Sequence, residues 1–162
     1  MTDTFICSQC CGQSRAIENC EGCSFYKDAS ANRNYRKVPY YTTEEMAANF
    51  DLEEISQVIE TALCQVWASG GAVVNDRTAV RMIELMLNKY HFKEEEKPIK
   101  DSVESAAYHL FYQAIDRQLT AVPEEKLVKV LAAVYRSIQR RSNGSNSYLK
   151  FISQFTGVGY GN

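Results

Sequence analysis

The chain has 162 residues, 45% hydrophobic and 23% charged, with a formal net charge of −2. This is enough apolar material to bury a core, and it excludes a disordered tail; the acidity argues against a general nucleic-acid coat protein. No run of eighteen apolar residues is present to cross a bilayer, so no membrane association is expected.

The amino terminus, Met1-Thr-Asp-Thr-Phe-Ile-Cys7, lacks the basic start and apolar stretch of a secretion signal. A cytoplasmic location with reduced thiols is therefore expected. Five of the six cysteines fall between Cys7 and Cys23, and in a reducing compartment such crowding favours metal ligation over disulfides. Cys7-Ser-Gln-Cys10 and Cys20-Glu-Gly-Cys23 form two C-x2-C pairs separated by nine residues. Each pair can wrap one side of a tetrahedral ion, and the spacer is long enough to bring the second pair opposite the first. Cys7, Cys10, Cys20 and Cys23 are assigned as a closed four-thiolate site for Zn²⁺, with iron as the alternative occupant. Four thiolates leave no position for water, so the metal is expected to be structural. At these residues the sequence resembles zinc-ribbon, or double zinc-knuckle, modules. It departs from the C-P-x-C-G knuckle at Ser8 and at Cys11, which stands where glycine is common. Cys11 reads as a bystander, a substitute ligand or a regulatory thiol.

Next comes Asn32-Arg-Asn-Tyr-Arg-Lys-Val-Pro-Tyr-Tyr41, in which Arg33, Arg36 and Lys37 alternate with Tyr35, Tyr40 and Tyr41. Cations for phosphates and rings for bases suit single-stranded nucleic acid. The bland alternative is an extended linker whose tyrosines pack on the following domain while its cations stay in water.

From residue 42 the pattern is helical. Thr42-Thr-Glu-Glu45 has capping-box spacing and predicts a short helical turn, and Asp51-Leu-Glu-Glu54 repeats the signal before a helix over 52 to about 67. Leu52, Ile55, Val58, Ile59, Ala62, Leu63 and Val66 share one arc of it, and Gly70-Gly71 ends it. Cys64, near the edge of that arc, is expected to be a small core hydrophobe. Asn75 can cap a helix from Asp76 to about Tyr90 with Val80, Ile83, Leu87 and Tyr90 inward. Asp101 or Ser102 starts the next, lined by Val103, Ala107, Leu110, Ala114 and Ile115. Pro123 suits the first turn of a helix to about Arg141, whose inner face is Leu127, Val130, Leu131, Val134 and Ile138. A last helix over 147 to 155 presents Tyr148, Leu149, Ile152 and Phe155. The fold class expected is all-α, a small bundle of about five helices forming two antiparallel hairpins, behind an N-terminal zinc ribbon. The domains expected are 1–41 and 42–162.

Charge is distributed unevenly. Residues 1–41 carry +1, residues 42–125 carry −9 and residues 126–162 carry +6. On the helix after Pro123, Lys126, Lys129, Arg136 and Arg140 fall within an arc of about 80°, a stripe that suits an acidic surface. That surface is either an external partner or Glu53, Glu54 and Glu60 of the same chain.

No catalytic set is legible. His91 ends a helix where a cation complements the macrodipole, and His109 lies mid-helix, each with a sufficient structural explanation. The role expected is therefore a non-enzymatic interaction or adaptor module with a structural zinc site and a protein partner, homo-oligomers included. One alternative is a nucleic-acid-binding accessory protein using the ribbon, Arg33, Tyr35, Arg36 and Lys37, together with Lys126, Lys129, Arg136 and Arg140. Another is a redox- or metal-responsive regulator in which Cys10 and Cys11 compete for the ion.

Overall fold

The computed structural model describes residues 33–158; the cysteines from Cys7 to Cys23 lie outside them. Contacts divide the chain into two units after Asn34. The second unit begins at Tyr35. Among the described residues there are six α-helices, two 3-10 turns and no strand. The helices are α1 (Thr43–Ala47), α2 (Phe50–Gly70), α3 (Asp76–Tyr90), α4 (Ser102–Leu119), α5 (Glu124–Arg141) and α6 (Ser147–Thr156). None is long and apolar enough to cross a membrane.

The helix starts follow local chemistry. The Thr42 hydroxyl accepts from the Glu45 amide at 3.2 Å and the Glu45 carboxylate accepts from the Thr42 amide at 2.7 Å, closing the expected capping box. Asn75 and Thr78 do the same at α3, and the Asp101 carboxylate accepts from the Glu104 amide at α4. Helix α2 starts two residues earlier than Asp51 implied. Asn49 is its cap, its side-chain oxygen accepting from the Asp51 amide at 3.0 Å, which leaves Asp51 in the first turn where its charge meets the positive helix end. At the other end Gly71 takes φ +58°, and a Cβ on Gly70 would collide with the Val74 side chain. Both glycines are therefore needed for the stop.

The helices do not pair as sequence-neighbour hairpins. Helix α2 packs chiefly on α4 and α3 chiefly on α5, while α2 with α3, and α4 with α5, scarcely meet. Going round the bundle the order is α2, α4, α3, α5, with α6 laid mainly on α2. A helix held between two neighbours buries a wider and differently centred arc than one packed on a single partner. This explains the corrections to the predicted inner faces. On α3 the buried apolar residues are Ala79, Met82, Ile83, Met86 and Leu87, with Val80 and Tyr90 only half-buried. On α4 the centre is Phe111, fully buried, while Val103 is exposed and Leu110 and Ala114 are half-buried. The α5 face is as predicted, and Cys64 is buried. In α6, Tyr148, Leu149 and Ile152 face the core but Phe155 stays 64% exposed, edge-on to Phe151 at 5.2 Å.

Asp76 ties α6 to the bundle. It is 1% exposed, and its carboxylate accepts from the backbone amides of Tyr148 (3.0 Å) and Leu149 (3.1 Å) and from the Ser142 hydroxyl (3.1 Å). Its own amide donates to the Ser145 carbonyl at 2.8 Å. Asn146, the residue in the cap position of α6, makes no capping bond of its own. One carboxylate thus lies at the amino ends of two helices, α3 and α6, where both macrodipoles favour negative charge.

Candidate functional site

Two basic stretches that are far apart in sequence become one surface. The 3-10 turn Tyr35–Lys37 packs on α5 because Tyr35 and Val38 enter the core, at 9% and 2% exposure. The Tyr35 hydroxyl donates to the Asn88 side-chain oxygen at 2.8 Å, and its ring lies 5.8 Å from Phe92 and 5.9 Å from Tyr135. Tyr35 is thus a core residue, as in the reading of a linker whose tyrosines pack on the following domain, and not a ring free to stack on bases. Replacing it by Phe keeps the packing and removes this buried hydrogen bond, so Tyr35→Phe is expected to cost about 1–2 kcal/mol of unfolding free energy in urea titrations.

With Tyr35 as anchor, Arg36 donates through Nε to the Gln139 side-chain oxygen at 3.0 Å, and the Arg136 guanidinium donates to the Arg36 carbonyl. Arg136 stacks 3.8 Å from the centre of the Tyr40 ring, and the Lys129 ammonium lies 5.5 Å from that of Tyr41. Glu125, one turn before Lys129, bonds it at 3.1 Å and holds its ammonium above the ordinary value. Lys37 and Arg140 are exposed and Lys126 is half-buried. Arg33 falls before the division of the chain. The stripe on α5 is not neutralised by Glu53, Glu54 or Glu60: among the described residues no ion pair joins them.

A cavity of about 160 Å³ opens in this surface, between α1, α2, α5 and the Tyr40-Tyr41 segment. Arg136, Ser137 and Arg140 line it from α5, Ser56 and Glu60 from α2, and Met46 from α1. Helical spacing explains the set, since residues four apart stack on one side of a helix. The Tyr148 hydroxyl donates to one oxygen of Glu60 at 3.0 Å. Burial pushes the Glu60 carboxyl above its ordinary 4.5, with the Tyr148 bond and the Arg141 charge opposing. An acid raised in this way adds stability that is complete below its unfolded value and is lost as pH climbs through the folded one. Glu60→Gln is therefore expected to melt above the parent at about pH 8, the two curves converging near about pH 4. A variant that melts lower at both values would contradict this reading of Glu60.

Two other features carry less chemistry. A larger cavity, about 390 Å³, lies between the end of α2 and the start of α4, with Val66, Val73, Val103 and Leu110 among its walls and no ionisable group. Lys89 donates to Glu96 at 2.6 Å and to the Tyr112 hydroxyl at 3.1 Å. Burial alone would lower Lys89, but these bonds hold its ammonium well above the ordinary value, while burial beside Tyr112 pushes the Tyr90 phenol up to about 12. The cluster fastens the segment after α3 to α4. His91 caps the end of α3 as expected, and the exposed His109 ring bonds Gln113, one turn on, at 3.0 Å.

The zinc ligands assigned from sequence, Cys7, Cys10, Cys20 and Cys23, lie outside the described residues, as does Cys11. Among the described residues no group of three or more His, Cys, Asp or Glu side chains is placed to hold a metal. No protein-family model matches the chain, and neither a curated protein nor a solved structure matches it. The residues that sequence reasoning underrated are Glu60, read only as a counter-charge for the stripe, and Tyr148, read only as core. Their one sequence signal is a carboxylate set directly beside the apolar arc of α2.

Proposed function

We propose that this chain is an adaptor whose amino-terminal segment is a structural four-thiolate zinc ribbon and whose helical unit offers an arginine-rich face to the carboxylates of an acidic protein. The observation that carries the reading is the convergence of Arg36, Arg136 and Arg140 around Tyr40 on one surface. A guanidinium stacked on a ring and tethered to a carbonyl has lost much of its rotamer freedom, so binding a carboxylate costs it less. Arg140, exposed and with no ion pair among the described residues, adds a fork at the same spot.

Protein is favoured over single-stranded nucleic acid because the rings needed for base stacking are engaged. Tyr35 is buried, and Tyr40 and Tyr41 already lie against Arg136 and Lys129. The test is fluorescence anisotropy with a labelled oligo-glutamate peptide and a single-stranded RNA of matched charge, across a salt series. Binding of the peptide, weakened about tenfold or more by Arg140→Glu, supports the reading. Tighter binding of the RNA with a steep salt slope would replace it with the nucleic-acid reading, and no binding of either at low salt would end both.

A further inference from the structure

The cavity beneath that face has a chemistry of its own. Glu60 and the guanidinium-bearing pair Arg136 and Arg140 line the same space, yet none of the three forms an ion pair with another among the described residues. Glu60 has one oxygen bonded by Tyr148; its second oxygen accepts no hydrogen bond among the described residues. Opposite charges that share a small cavity without closing on each other leave both signs to be met by whatever enters.

A simple anion would satisfy the arginines and be repelled by Glu60, and a simple amine would do the reverse. Only a ligand bearing both charges satisfies the two ends at once. The volume, about 160 Å³, is about five waters' worth, well below the space a nucleotide or drug-sized ligand fills. Met46 and Val134 supply an apolar wall. We infer that the cavity is a binding site for a free aliphatic α-amino acid, its carboxylate on Arg136 and Arg140, its ammonium on Glu60 and its side chain against Met46 and Val134. This is a small-molecule site and does not rest on the partner proposed above.

The experiment is isothermal titration of the full chain with L-valine, L-leucine and L-methionine, each to about 10 mM, a range that covers millimolar affinity. For each amino acid two controls carry a single charge: the same skeleton without its amine, and without its carboxylate. At least one amino acid is expected to bind at a single site, and its single-charge analogues about tenfold or more weaker. Glu60→Gln, which retains an acceptor for Tyr148, is expected to erase the preference for the amino acid over the deaminated acid. Arg140→Gln is expected to weaken every ligand that carries a carboxylate. No heat with any of the three amino acids would overturn the proposal, as would a deaminated acid that binds the parent chain as tightly as the amino acid does. A Glu60→Gln chain that keeps the full preference would overturn it equally.

Discussion

Asp76→Ala is expected to remove about 3–5 kcal/mol of unfolding free energy. The carboxylate is buried and accepts three hydrogen bonds, two of them from backbone amides at the start of α6. Alanine leaves those amides in the interior with no acceptor, and α6 has no capping side chain of its own in reserve. The damage should spread, because Tyr148 is fully buried and also carries the bond to Glu60. Asp76→Asn keeps one acceptor oxygen but adds donors where only acceptors are wanted, so an intermediate loss is expected. Urea denaturation followed by circular dichroism measures both, and a loss below about 1 kcal/mol for the alanine variant would show that water or another group replaces the carboxylate. For a domain whose total stability is on the order of 5–15 kcal/mol, a loss of this size is a large fraction of the whole.

Protein purified under reducing conditions is expected to contain one zinc ion per chain, and Cys20→Ser is expected to abolish tight retention of it. A segment with Phe5, Ile6, Ala16 and Ile17 among its few apolar residues cannot fold by burial alone, whereas structural zinc contributes about 10–16 kcal/mol of apparent binding free energy in small modules. The helical unit is expected to behave differently. Among the described residues its core runs from Tyr35 to Ile152, and removal of metal by a chelator is expected to leave its melting curve in place. Elemental analysis before and after chelation, with melting followed at 222 nm as the usual helix signal, measures both expectations. Metal-free protein from a reducing preparation would defeat the zinc assignment, and a visible charge-transfer band would replace zinc by iron.

What could be read from sequence is what acts over one helical turn. Thr42, Asn75 and Asp101 cap through residues three positions on, and α5 shows its buried face because Leu127, Val130, Leu131, Val134 and Ile138 recur at the helical period. What could not be read is partner choice across the chain. Asp76 looks like an ordinary first-turn acid, and nothing local shows that it will cap a helix beginning 71 positions later, at Ser147. Tyr35 alternates with cations as a binding ring would, and only the presence of Asn88, Phe92 and Tyr135 around it makes it core. The candidate site was legible in its parts, Tyr40, Arg136 and Arg140, but not as a place, because the turn that joins them depends on that burial.

The interleaved helix order bears on how the protein is made. During synthesis α2 emerges without α4, and α3 without α5, so a ribosome-bound chain cut off before Glu124 holds apolar faces whose partners have not been translated. Neither half is expected to fold alone, and the two halves split between α3 and α4 should recover structure only when mixed. Settling of the nascent chain therefore waits for α5, and exposure to proteases and chaperones lasts correspondingly long.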